Sequence, residues 1–166
     1  MKKFWIFFVA LAAMACDGQG GDPVEFSYEA VSFTHPAGWK TETEELDRGY
    51  YVGCEKKDAV LTITFISDTL VDASDYVDRF LTNIADADNV SSLEHGDNYQ
   101  SCFGRYDAVC ADYSFKAMGL AKFYGRIYAF EVEGGVLCVA EQTESKKGLE
   151  TSFATIEESF CVAKTE

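Results

Sequence analysis

"DASDYVDRFLTNIADAD", residues 72–88, is the stretch where the hydrophobic period of this chain changes from two to 3.6. Val77, Phe80, Leu81 and Ile84 fall at i, i+3, i+4 and i+7, an apolar stripe on one face of a helix. Asp72 or Ser74 can cap its start, and the acids of its first turn suit the helix dipole. The flanking sequence on both sides reads as strands, so this helix divides the chain into two β-rich halves.

Upstream, "FSYEAVSFTHPAGWKTET" (26–43) reads as strand, turn, strand, with His35-Pro36-Ala37-Gly38 as the break and Trp39 as the restart. "GYYVGCEK" (49–56) and "AVLTITFIS" (59–67) are rich in β-branched and aromatic residues. Downstream, "NYQSCFGRYDAVCADYSFKA" (98–117) has the form of a hairpin, whose second arm alternates Val109, Ala111, Tyr113 and Phe115 against Cys110, Asp112, Ser114 and Lys116. "AKFYGRIYAFEV" and "VLCVAEQT" make another hairpin around Glu133-Gly134-Gly135. The chain closes with "SKKGLETSFATIEESF" (145–160), where Leu149, Phe153, Ile156 and Phe160 mark a second amphipathic helix. Short hairpins make the strands antiparallel. The expectation is one α+β domain over residues 26–166, an antiparallel sheet flanked by two amphipathic helices. Phe33, Trp39, Phe80, Ile84, Phe115, Phe153, Ile156 and Phe160 are its expected core.

The N-terminus has a different character. Two lysines precede an apolar run from Phe4 to Ala15, which as a helix spans about 18 Å against a hydrocarbon core about 30 Å thick. This is the pattern of a secretory signal over residues 1–15. Ala13-Met14-Ala15 runs directly into Cys16, and that junction resembles the lipobox of bacterial lipoproteins, although the family pattern favours Leu where Ala13 stands. The resemblance implies that Cys16 is acylated, with palmitate among its chains, and becomes the mature N-terminus. The alternative is an ordinary signal peptide that leaves Cys16 as a spare thiol. Residues 16–25, "CDGQGGDPVE", then serve as a polar, glycine-rich tether.

From Cys16 onward there are 12 basic and 28 acidic side chains, a net charge near −16. Such a surface repels nucleic-acid phosphates, which excludes nucleic-acid binding, and it leaves membrane association to the anchor. The implied location is the bacterial cell envelope, lipid-anchored, with the outer membrane preferred to the inner.

The "F..P.GW" opening (Phe33, Pro36, Gly38, Trp39), the helix between two antiparallel strand groups and the closing "FATIEESF" together resemble the PsbP-like superfamily, which includes envelope lipoproteins of the DcrB kind. The likeness spans about residues 27–163. It implies a layered antiparallel sheet used mainly as a binding scaffold, and it carries over no active site.

With Cys16 assigned to lipid, Cys54, Cys102, Cys110, Cys138 and Cys161 remain, without C-x-x-C spacing. A three-residue loop at 105–107 would place Cys102 opposite Cys110 on one face, close enough for a disulfide. Closing that nine-residue ring contributes roughly 2.5 kcal/mol. A two-residue loop would put them on opposite faces, and small buried hydrophobes are the bland alternative; the bridge is the preferred reading. His35 reads as a turn residue. His95, between Glu94 and Asp97, is the one histidine that a carboxylate-assisted mechanism could use. Asp86, Asp88 and Asn89 lack the continuation of an EF-hand loop. There is no G-x-S-x-G, H-E-x-x-H or phosphate-binding glycine loop.

The preferred function is a non-catalytic envelope lipoprotein, a binding or accessory module for an unknown envelope protein, with no catalytic residue, metal or cofactor. The alternatives are an envelope hydrolase using carboxylates or His95, and a structural subunit of a larger assembly. For the last, tyrosines 50, 51, 124 and 128 are candidate surface residues.

Overall fold

The computed structural model describes residues 21–163 except 69 and 120. Cys16 and the expected signal segment lie outside the described residues. β1 (Val24–Tyr28) begins inside the expected tether. It turns at Glu29, whose φ is 50°, into β2 (Val31–His35). Then follow β3 (Lys40–Leu46), β4 (Gly49–Lys56) and β5 (Ala59–Ile66). Helix α1 (Ala73–Ala85) comes next, with Asp72 as its cap: the Asp75 N–H donates to Asp72 Oδ1 at 2.8 Å.

The second half runs through β6 (Val90–His95), β7 (Tyr99–Phe103), β8 (Tyr106–Ala117), β9 (Ala121–Val132) and β10 (Gly135–Thr143). It ends in α2 (Lys146–Thr151), α3 (Ala154–Ser159) and β11 (Cys161–Val162).

Eight strands form the main sheet. Seven lie in the order β3-β4-β5-β10-β9-β8-β6, all antiparallel, and β7 pairs with β8 beside β6. A separate small sheet, β1-β2-β11, lies over one face. The expected one sheet with two helices is thus corrected in two respects. The closing helix is two short helices, α2 capped by Ser145 and α3 starting after Phe153. The layer that contains them also holds the small sheet.

Each face of the main sheet has its own core. Val77, Leu81 and Ile84 of α1 pack on Ala111, Tyr113, Phe115, Ile127 and Cys138. Each such side chain contributes about 1.5–3 kcal/mol by leaving water. The other face carries Leu61, Ile63, Leu137, Val139, Tyr128 and Phe130 against Phe33, Trp39, Phe153, Ile156 and Phe160. β10 lies in the middle and is covered on both sides, which is why "GVLCVAEQT" is buried almost throughout instead of alternating. Of the expected core residues only Phe80 is half-exposed; the others are buried.

At Gly125 the ring of Tyr113, its cross-strand partner, occupies the space of a side chain, and a Cβ there would come within 2.2 Å of Tyr113 Cζ. Gly125→Ala should therefore overpack the α1 face and cost about 1–3 kcal/mol. An unchanged thermal midpoint would show that the ring moves aside freely.

Candidate functional site

Alternation along β9 puts Arg126 and Tyr128 on the face shared with α3, while Ile127 and Ala129 face α1. β8 brings Asp112 beside them in register with Arg126. Arg126 Nε donates to Asp112 Oδ1 at 2.6 Å, and that carboxylate holds the guanidinium firmly protonated. Tyr128 is buried, and burial raises its phenol, with Glu141 adding to the effect. Tyr99 of β7 flanks the same arginine.

Glu141 of β10 is the unusual member. It stands opposite Arg126 on one side and Leu61 on the other. It is only 1% exposed, and its Oε1 has no hydrogen-bond partner among the described residues. Burial, then the charge of Glu157 on α3, pushes its carboxyl up to about 9, so it is protonated at neutral pH. Glu141 is not legible as a site residue in the sequence, because "VLCVAEQT" shows only a strand; the one signal it carries is a glutamate at the end of an apolar run. Tyr128 and Glu141 are closed off within this cluster, which leaves the half-buried Arg126 and the exposed Tyr99 as the groups open to a partner's polar atoms.

The residues singled out by sequence are not brought together. Cys102 and Cys110 do not bridge, and both are free thiols. The turn has two residues, Gly104 and Arg105, so Phe103 pairs with Tyr106, Cys102 with Asp107 and Cys110 with Tyr99. Gly104 takes a left-handed φ of 56° against the Glu157 carbonyl, and Phe103 is buried beside Phe160 with ring centroids 4.9 Å apart. That packing selects the register, and a shift of one residue puts the two cysteines on opposite faces. Cys102 is exposed and Cys110 buried.

Burial pushes the thiols of Cys54 and Cys110 up to about 12 and raises Cys138 as well, so none of the three is activated. Cys102 is raised by its contact with Asp107, and Cys161 accepts from Arg105 Nη2 at 2.8 Å.

His35 is buried at the end of β2 rather than in the turn itself, with Nδ1 3.0 Å from the Pro36 carbonyl. His95 is exposed on the edge strand β6, its Nδ1 3.0 Å from the Gly96 carbonyl. Asp86 closes α1 and Asp88 is exposed. No group of three metal-ligating side chains is assembled among the described residues. Of the tyrosines, 50 and 128 are buried, whereas 51 and 124 are half-buried. A shallow groove of about 280 Å³ holds Asp107 and Glu131, both exposed to water.

No family model and no curated protein sequence matches the chain. Solved structures do. The chain is similar to cyanobacterial PsbP (CyanoP) from Synechocystis, at 18% identity and a TM-score of 0.58, over 89% of this chain and 97% of that one. It is also similar to LpqN of Mycobacterium tuberculosis, a protein involved in cell envelope biogenesis, at 14% identity and a TM-score of 0.51, over 89% and 87% of the two chains. A Bacteroides thetaiotaomicron protein matches at 14% identity and a TM-score of 0.52, where 84% of this chain covers 48% of the other. These likenesses concern architecture: this chain has a PsbP-like fold.

Proposed function

We propose that this chain is a lipid-anchored, non-catalytic module of the bacterial cell envelope that binds a protein partner there. The observation that carries the reading is the joining of two parts. A leader and cysteine of lipoprotein type, "AMAC" at 13–16, run through a short polar tether into a PsbP-like domain. The similarity to LpqN supports an envelope setting. The chemistry of the domain supports binding over catalysis. Its buried thiols are held protonated, His95 faces water, and Arg126 is engaged with Asp112. Tyrosine and arginine, here the exposed Tyr99 and the half-buried Arg126 on a rigid sheet, are residue types that anchor protein interfaces.

Cys16→Ser should release the protein from the membrane fraction, because the acyl chains supply the attachment and the acidic domain surface does not. Retention of that variant after a high-salt wash contradicts the anchor. Crosslinking and co-purification of the anchored protein from its own membranes tests the binding role. A partner whose crosslink is lost on replacing Arg126 and Tyr99 supports it, and turnover of an ester, glycoside or peptide substrate overturns it.

A further inference from the structure

The β8–β9 turn, "KAMGLAK" (116–122), is out of keeping with the fold around it. Met118 is 70% exposed and has φ 49°, a left-handed conformation that glycine or asparagine adopts at less cost. An apolar side chain held in water on a strained turn contributes nothing to the core. Strain of this kind collects at turns that make contacts outside the fold.

The surroundings identify the chemistry of such a contact. Lys116 pairs with Lys122 across the turn, and Lys122 and Lys146 both stand over the Tyr124 ring, 5.4 and 5.8 Å from its centroid. Tyr124 is level with Thr143, and Thr143 with Ala59, which follows Lys56 and Lys57. Lys40 continues the row at the start of β3. With Lys147, seven of the twelve basic side chains after Cys16 gather at this end of the sheet. The acids interleaved with them are Asp22, Glu55, Asp58, Asp86, Asp88, Glu94 and Glu144, of which Asp58 and Glu94 pair with Lys56 and Lys122. The opposite end has the reverse balance, with Glu29, Asp47, Asp68, Asp107, Glu131 and Glu133 at or beside its turns against Arg48 and Arg105. A strongly acidic protein thus has one nearly neutral, lysine-rich end.

The tether joins the domain at that same end. Gly21 lies against Ala37, so close that a Cβ on it would be 2.8 Å from the Ala37 Cβ, and Ala37 sits in the turn leading to Lys40. Four residues separate Cys16 from Gly21, and the five chain steps between them reach at most about 18 Å.

We propose that this end is a membrane-docking face. The Met118 turn enters the headgroup layer of the anionic leaflet that holds the anchor, and the surrounding lysines contact lipid phosphates. The proposal rests on the anchored reading of Cys16. The short tether keeps this end near the leaflet, the lysines are drawn to its negative surface, and the acidic opposite end is repelled from it, which fixes the orientation of the domain. The partner-binding face beside Arg126 then stands at the side of the domain, open to another envelope protein.

The test separates docking from anchoring. Every element and both cores lie within residues 24–162. A chain with residues 1–16 replaced by a histidine tag, held on vesicles by a nickel-chelating lipid, therefore keeps the fold and the attachment point. In vesicles containing phosphatidylglycerol, Met118→Trp should show blue-shifted emission and quenching by lipids brominated on the acyl chain. Leu70→Trp, 91% exposed at the other end, should show neither. Lys116→Glu with Lys122→Glu should weaken docking by about tenfold or more, since each lysine near such a surface contributes about fivefold. Met118→Asn should leave the melting temperature unchanged or higher and still lose docking, which a structural role for Met118 would not produce. Equal emission from the two tryptophan variants on anionic vesicles overturns docking. So does quenching on neutral vesicles that ignores the lysine replacements. Capture of a protein by the Met118 turn in place of lipid does the same. Anchoring is read separately: release of the acylated chain's Cys16→Ser variant supports it whatever the tryptophans show.

Discussion

Replacing Glu141 with glutamine should make the protein more stable at pH 8, by on the order of 2–4 kcal/mol, and leave it nearly unchanged at pH 4. The carboxyl is buried under α3 beside Glu157 and opposite Arg126, with one oxygen unpartnered. In the native chain its pKa is pushed up to about 9, against an ordinary value of 4.5. Between those pH values the folded state keeps a proton that the unfolded chain releases, so stability falls as pH rises through that window. Below pH 4.5 both states carry the proton and the contribution of the group is fully present. Above about pH 9 it is lost. Glutamine has the same shape without the titration, so the difference between variant and wild type grows with pH. Paired melting curves at pH 4, 6 and 8 measure it. A difference that stays constant across the three would mean that Glu141 is already ionised in the fold.

Phe153→Ala should destabilise by about 3–5 kcal/mol, the range for a truncated core aromatic, and lower the melting midpoint by roughly 10 °C. Phe153 is fully buried at the junction of α2 and α3 and meets the Trp39 ring edge-on with centroids 5.8 Å apart. Its loss opens a cavity between the opening turn and the closing helices, and two short helices lack a continuous hydrogen-bond ladder to keep them in place. A midpoint within a degree or two of wild type would mean that the end of the chain packs otherwise.

Much of this architecture is legible in the sequence because it is a matter of facing. The switch of period at residue 72 locates α1, and the alternation of Val109 to Lys116 locates β8. Facing does not report continuity, however. The Leu149–Phe160 stripe reads as one helix although it breaks at Ser152 and Phe153, since both pieces still turn their apolar side to the same core. Polar edge strands such as β6, exposed along most of its length, and two-residue strands such as β11 carry too little pattern to be seen.

The cysteine hairpin shows a sharper limit. Loops of two and three residues suit the same letters, and the choice fell to Phe103 packing on Phe160, a contact 57 residues away in sequence. For the polar cluster, Arg126 and Tyr128 are visible as strand residues, but the burial of Glu141 depends on α3 covering it.

The central claim is that the chain is made as a leader, trimmed and lipidated at Cys16, so that the domain works from a membrane. Intact-mass measurement of the protein purified from its own membranes tests this most directly. The account predicts a mature chain beginning at Cys16 that is heavier than the sequence of residues 16–166 by the mass of its acyl chains and their glycerol. An unmodified N-terminus, or cleavage at any residue other than Ala15, would contradict it.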